Sequence, residues 1–272
     1  MENRQIELVI FDWAGTTTDF GSQAPVQVFD RTFSGWGIHF TRDEINAPMG
    51  MEKKVHIRSM LSTPAGRQKF REALGRDWNE QDVQKLYEEF ETTLGQVVGE
   101  YSIPIPGVSE TVQTLREMGL RIGSTTGYTS EMMRFVLPAA QANGYAPDCV
   151  ITPDCTGHSR PSPFMVYECM RRMNVYPASH VVKVGDTAVD ILEGKNAGAW
   201  SVGILVGSNL MGLSQQEYLH ASPQKLQKLK NAARIAYEQA GADLVIETIR
   251  QLPEAIRTLN QRLCAEYREA RA

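Results

Sequence analysis

Two apolar runs in this chain break off in the same way. Ile6-Glu7-Leu8-Val9-Ile10-Phe11 stops on Asp12, and Gly15, Thr16 and Thr17 follow at once. Val181-Val182-Lys183-Val184-Gly185 runs into Asp186-Thr187, with Asp190 one helical turn further on. Runs this short and this rich in Val, Ile and Leu predict buried strands of a parallel sheet. Each aspartate then stands at the carboxyl end of its strand, the edge along which open α/β sheets bind ligands. One such aspartate reads first as a cap for the following turn. Two of them, on separate strands, point to a site.

Between the two strands the periodicity is first helical, then mixed. Residues 24–36 repeat apolar positions at helical spacing, with Val26, Phe29, Phe33 and Trp36 on one face. Thr41-x-x-Glu44 is a capping box. A helix over 51–61 follows the turn Pro48-Met49-Gly50, and Thr63-Pro64 opens another that ends near Gly75. Residues 80–101 form a long amphipathic helix with Val83, Leu86, Tyr87, Phe90 and Leu94 facing one way. No strand pattern interrupts residues 21–100, which read as a small helical domain inserted after the first strand. Pro104-Ile105-Pro106-Gly107 marks the return. Beyond it, strands over 120–125, 149–152, 181–185, 200–206 and 243–247 alternate with helices over 108–118, from 130, over 163–173, over 188–197 and from 253. Pro138 is expected to interrupt or end the helix that starts at Ser130, and the polar stretch 223–239 to be a solvated surface helix. The alternation predicts an α/β fold, a doubly wound parallel sheet of Rossmann-like type, built from residues 1–20 and 101–272 with the α-helical insert at 21–100.

A length of 272 residues suits that division, and 42% hydrophobic residues can build its core. The formal net charge of −4 offers no basic footprint for nucleic acid. No apolar run has the length of a membrane span, and the charged N-terminal stub leads straight into the first strand without a signal-peptide pattern. Cys149, Cys155, Cys169 and Cys264 show no paired spacing and read as thiols of a reducing cytosol.

Four segments bring polar groups to one edge of the predicted sheet: Asp12, the run Ser124-Thr125-Thr126-Gly127, the segment leading to Arg160, and Asp186. Two carboxylates converging there would repel. A hard divalent cation relieves the repulsion, and Mg²⁺ is usually held by one or two carboxylates together with waters and substrate oxygens. Hydroxyls, backbone amides and an arginine beside it would hold a tetrahedral oxyanion such as phosphate. Taken singly, Thr126 reads as a turn hydroxyl and Arg160 as a surface arginine. With Asp12 and Asp186, in this order on alternating elements, they make a specific set.

That set resembles the haloacid dehalogenase superfamily of aspartate-nucleophile phosphotransferases, over the whole chain and including the insert, which is similar to that superfamily's cap domain. The resemblance implies that Asp12 is the nucleophile of an aspartyl-phosphate, and that Thr126, Gly127 and Arg160 hold the phosphoryl group. It further implies that Asp12, Asp186 and the backbone carbonyl of Ala14 hold Mg²⁺, with Asp190 in support. Position 14 departs from the superfamily's phosphatases, which carry there an aspartate that protonates an alkoxide leaving group. Alanine has no proton to give.

Asp12-Trp-Ala-Gly-Thr16, Pro48-Met-Gly50, Lys53, Ser124-Thr-Thr-Gly-Tyr-Thr129, Arg160-Pro161 and Gly185-Asp-Thr187 together resemble the phosphonatases, the phosphonoacetaldehyde hydrolase family. As a lone helix lysine, Lys53 would read as solvated surface. The resemblance makes it the lysine that forms a Schiff base with a carbonyl substrate, and implies a cytoplasmic homodimer acting on a small phosphonate. Met49, His56 and Tyr128 stand either as helpers in proton transfer and lysine positioning or as packing residues. Ser22 occupies a position where some relatives carry cysteine. The competing expectations are a superfamily phosphatase or sugar-phosphate mutase, against which Ala14 argues, and a non-catalytic phosphate-binding scaffold, against which the intact Asp12, Thr126, Arg160 and Asp186 argue.

Overall fold

The computed structural model describes residues 5–269, so the charged N-terminal stub lies outside the described residues. Six parallel strands form one sheet: β1 (Leu8–Phe11), β2 (Arg121–Thr125), β3 (Cys149–Ile151), β4 (Val181–Gly185), β5 (Trp200–Ile204) and β6 (Leu244–Ile246), in the order β3-β2-β1-β4-β5-β6. All four β1 residues are buried, which accounts for a run that is apolar rather than alternating. Phe11 registers with Ser124 of β2 on one side and Val184 of β4 on the other. Three strand ends therefore finish level with one another.

Helices α1 (Gln23–Gly35), α2 (Arg42–Asn46), α3 (Lys53–Ser62), α4 (Pro64–Leu74) and α5 (Glu80–Tyr101) lie in the chain between β1 and β2 and contribute no strand. They pack through aromatic contacts, with the Phe29 ring centroid 4.4 Å from that of Phe90 and 4.1 Å from that of His56. The capping box at Thr41 is formed, Thr63 caps α4, and Gly75 ends α4 in the left-handed region. One expectation shifts here. The buried stripe of α1 runs through Ala24, Val28, Phe29, Thr32 and Phe33, leaving Val26 and Trp36 half-buried at its margin. An i, i+4 stripe along α5 captures positions that the sequence pattern set about 100° round the helix.

The remaining helices are α6 (Val108–Glu117), α7 (Ser130–Ala142), α8 (Pro153–Thr156), α9 (Phe164–Met173), α10 (Ala188–Ala197), α11 (Gln215–His220), α12 (Pro223–Gln239) and α13 (Leu252–Glu269). Contrary to expectation, α7 continues through Pro138. Pro138 and Arg134 are not buried, so the Arg134 carbonyl that loses its intrahelical donor lies on the wet side of the helix, where the loss costs least. The polar helix α12 is also more than a solvated surface element. Its Tyr237 is fully buried and donates to the backbone carbonyls of Asp186 at 2.8 Å and Ile204 at 2.7 Å. Gly203 makes room for that ring, since a Cβ there would lie 2.6 Å from it. No helix among the described residues is long and apolar enough to cross a membrane, and no disulfide joins the cysteines.

Candidate active site

The carboxyl ends of β1, β2 and β4 face a narrow cleft. It lies where the chain order reverses, β1 having β2 on one side and β4 on the other, the switch point at which such sheets bind ligands. Asp12, Ala14, Met49, Lys53, Thr126, Gly127, Tyr128, Arg160 and Asp186 all line it, and Ser22 joins them. His56 and Asp190 lie behind the lining, fully buried. The fold thus brings together every candidate that the sequence singled out.

Asp12, Asp186 and Asp190 offer carboxylate oxygens within 4.8 Å of one another, all buried. Glycines permit the crowding: a Cβ on Gly15, at φ +85°, would fall 2.0 Å from Asp186 Oδ2, and one on Gly185 would fall 2.2 Å from the Asp190 Cβ. The two outer carboxylates are poised differently. Burial, reinforced by the neighbouring charges of Asp12 and Asp190, drives Asp186 well above the usual carboxylate range. Thr16 Oγ1 donates to its Oδ1 at 3.3 Å and the Asn209 amide to its Oδ2 at 2.7 Å. Burial also pushes Asp190 upward, but Arg160 and Lys183 outweigh it and hold the carboxyl at about 2. Lys183 Nζ lies 2.9 Å from Asp190 Oδ1, and Thr187 Oγ1 donates to Oδ2 at 2.6 Å. Asp190 is therefore already paired with two cationic side chains, whereas Asp186 has no cationic partner and faces Asp12, so its charged form calls for a further positive charge between them. That donor set fits a divalent cation of the Mg²⁺ type.

Arg160 is almost fully buried, with Nη1 2.6 Å from Asp12 Oδ1 and 2.9 Å from Asp190 Oδ1. Burial opposes its charge, yet Asp190, Asp12 and Glu193 more than compensate and raise its pKa further. Thr126 Oγ1 accepts from the Tyr128 amide at 3.1 Å, turning the loop after β2 back over the cleft.

The other wall comes from the insert. Gly50, at φ +91°, sits against Thr187, where a Cβ would lie 2.7 Å from Oγ1. Gly127 sits against Met51, where a Cβ would lie 2.7 Å from the carbonyl oxygen. The turn Pro48-Met49-Gly50 is thereby wedged between two loops of the sheet edge. Glu52 then caps α3, accepting from the amides of Lys54 and Val55 at 2.8 and 2.9 Å, and starts the helix with Lys53 turned inward. Lys53 is only 4% exposed, with Nζ 3.9 Å from Met49 Sδ and 5.2 Å from the Tyr128 ring centroid. Burial lowers the amine to about 8, against the opposing pull of Asp12 and Glu52. Lys54 turns away and donates to Gln84.

Burial, with Lys53 nearby, holds His56 well below its ordinary pKa, so the ring is neutral. Its Nε2–H donates to the Ile45 carbonyl at 2.9 Å. Tyr128 is driven well above its usual value by burial, then by Asp19 and Asp12. Sequence reasoning missed Asp19, Asn209, Lys183, Glu193 and Tyr237. Asp19 accepts from the Gln23 and Ala24 amides at 2.8 and 3.0 Å, and burial raises it to about 7. Lys183 was visible as a lysine inside an apolar strand. Glu193 falls one turn after Asp190. Asn209 and Tyr237 carried no local signal.

A buried aspartate at the end of the first strand, an arginine on it, a second aspartate across the switch point and an inserted helical wall define a class. The family model of the haloacid dehalogenase-like hydrolases matches residues 6–198, and the chain belongs to that family. The phosphonoacetaldehyde hydrolase of Bacillus cytotoxicus is 45% identical over 93% of this chain and 96% of its own. That of Parabacteroides distasonis is 45% identical over 95% and 98%. A crystal structure of a phosphonoacetaldehyde hydrolase-like protein from Oleispira antarctica superposes with a TM-score of 0.93 at 35% identity, covering 96% of this chain and 95% of that one. Within the broader family, the chain sits among the phosphonoacetaldehyde hydrolases.

Proposed function

We propose that this protein hydrolyses phosphonoacetaldehyde to acetaldehyde and phosphate. The observation that carries the reading is Lys53, a buried amine lowered to about 8, in one cleft with Asp12 and Arg160, while Ala14 has no proton for an alkoxide. Cleavage of a carbon–phosphorus bond must otherwise expel a carbanion. The Lys53 amine adds to the aldehyde carbon and water leaves, giving a protonated imine. An Asp12 carboxylate oxygen attacks phosphorus, and the electrons of the breaking bond flow into the imine to give a neutral enamine. Water frees phosphate from Asp12. The enamine takes a proton on carbon and hydrolyses, returning Lys53 as the amine. Thr126, Gly127 and Arg160 hold the phosphonate oxygens. His56, Tyr128 and Met49 shape the lysine's surroundings, with His56 available as a neutral proton acceptor at Nδ1.

Asp12 and Asp186, with the Ala14 carbonyl, would hold Mg²⁺, and Asp190 supports the arginine beside them. When bound, the cation neutralises the facing carboxylates and draws charge from the phosphonate oxygens. In this reading helices α1–α5, residues 21–100, act as a cap that closes over the sheet edge, residues 1–20 and 101–272 being the catalytic core. Homodimer assembly and a cytoplasmic setting belong to the same reading, and the mass in solution tests the former.

The deciding experiment measures phosphate and acetaldehyde released from phosphonoacetaldehyde against a panel of phosphate esters. Equal or greater turnover of an ester would move the phosphatase or mutase reading into first place. Two further results are expected. Chelation should stop turnover and added Mg²⁺ should restore it; undiminished turnover in verified metal-free protein would remove the cation from the reaction. Only the neutral amine attacks a carbonyl, so kcat/KM should rise roughly tenfold per pH unit below about 8 and level off above it. A flat profile across that range would mean that Lys53 does not titrate in the rate-determining species.

A further inference from the structure

We infer that Glu193 is a positioning residue that fixes the guanidinium of Arg160 for the phosphonate, an inference that rests on the reading of Arg160 as a phosphonate ligand. Glu193 lies on α10 one turn beyond Asp190 and is fully buried. Gly194 beside it lets the helix press on the sheet, since a Cβ there would lie 2.3 Å from Ser201 Oγ and 2.8 Å from the Lys183 Cβ. Glu193 Oε2 stands 3.0 Å from Arg160 Nε, accepts from Thr125 Oγ1 at 2.9 Å and lies 3.4 Å from Lys183 Nζ. Thr125 Oγ1 in turn accepts from Arg160 Nη2 at 2.8 Å. Two hydrogen bonds through Thr125 and an ion pair at Nε, which has no hydrogen-bond partner among the described residues, therefore close a ring beneath the cleft.

The ring has a chemical consequence. An arginine beside a carboxylate tends to grip it with two parallel hydrogen bonds. Here Thr125 accepts from Nη2 below and the Glu193 carboxylate lies in ion-pair range of Nε, so Asp12 receives a single hydrogen bond, from Nη1 at 2.6 Å. The guanidinium orients the nucleophile without capturing it, and an arriving phosphonate finds its plane already set. A purely structural account fits less well. Glu193 Oε1 has no hydrogen-bond partner among the described residues, and a buried carboxylate with an unpartnered oxygen costs stability. The residue serves the arginine rather than the fold. Lysine at position 160 would present no Nη2, so the Glu193–Thr125 pair would have nothing to hold.

A double-mutant cycle tests this, reading kcat and KM for phosphonoacetaldehyde, the Kd of inorganic phosphate in the presence of Mg²⁺, and thermal melting. Glu193→Met fills the space without an acceptor. It should lower kcat/KM by about ten- to a hundredfold, the range of one charge-assisted contact, and weaken phosphate by about tenfold. Coulomb's law alone gives the opposite sign, because removing a negative charge should tighten an anion. Glu193→Gln keeps a carbonyl for Thr125 Oγ1 and should recover most of the loss. In an Arg160→Lys background, Glu193→Met should cost less than about threefold. Tighter phosphate in Glu193→Met, equal losses for Met and Gln, or equal losses in the parent and Arg160→Lys backgrounds would overturn the inference. If Glu193→Met does not fold, Glu193→Ala takes its place in the same cycle. A wild-type protein that binds phosphate but leaves phosphonoacetaldehyde intact would instead refute the proposed function, with the Glu193 comparison still readable on phosphate.

Discussion

Asp12→Asn should reduce phosphate release by on the order of 10⁴-fold or more, because an amide oxygen cannot replace the carboxylate as nucleophile. The variant should keep its fold. Asparagine has nearly the same shape, and the substitution removes one of the charges that press on Asp186. Arg160 keeps Asp190 at 2.9 Å and Glu193 at 3.0 Å, so its guanidinium is not left unpaired. A melting temperature equal to or above that of the parent, together with lost turnover, would assign the loss to chemistry. Substantial phosphate release by the folded variant would show that another group attacks phosphorus.

Lys53→Arg should abolish carbon–phosphorus cleavage, by about a thousandfold or more, while retaining affinity for phosphonate. The guanidinium keeps the positive charge but stays protonated at any working pH and forms no imine under these conditions. Burial, the largest influence on Lys53, favours the amine in the native protein, and it outweighs the Tyr128 and Phe29 rings at 5.2 and 5.8 Å, whose faces attract the cation. Borohydride added with substrate should reduce the imine and leave a stable adduct on Lys53, found by peptide mapping. Lys54 is the internal control, since it is tied to Gln84 outside the cleft. A label on Lys54 alone, no substrate-dependent label, or cleavage by Lys53→Arg would each sink the imine.

Much of this was legible in the sequence because the informative groups were local. A strand that ends on aspartate and glycine announces its own edge, and the caps at Thr41 and Thr63 are written within the first turn of each helix. Arg160 gained meaning only in company with Asp12, Thr126 and Asp186. What stayed hidden depends on partners far away in the chain. The backbone amide of Asn209 and the hydroxyl of Tyr237 meet Asp186 across 23 and 51 residues, through contacts that no local pattern encodes. Glu193 carries no local sign of its role, which comes from Thr125 and Arg160, 68 and 33 residues earlier in the chain (193 − 125 and 193 − 160). Pro138 misled because a propensity argument does not register which side of a helix is wet.

The central position of β1 governs the order in which the molecule can be assembled. Its two neighbours are β2 and β4, and Phe11 pairs with Val184, a partner synthesised 173 residues later (184 − 11). At ribosomal rates of roughly 5–20 residues per second, that wait lasts about 9–35 s. During it Leu8, Val9, Ile10 and Phe11 have no completed sheet to enter, although helices α1–α5 can already form around their local contacts. Such long-range parallel pairing is slow and exposes sticky backbone. The strand that ends on Asp12 is thus made before both of its sheet neighbours and completed only when β4 follows, and a nascent chain arrested before β4 should hold folded helices α1–α5 beside an incomplete sheet.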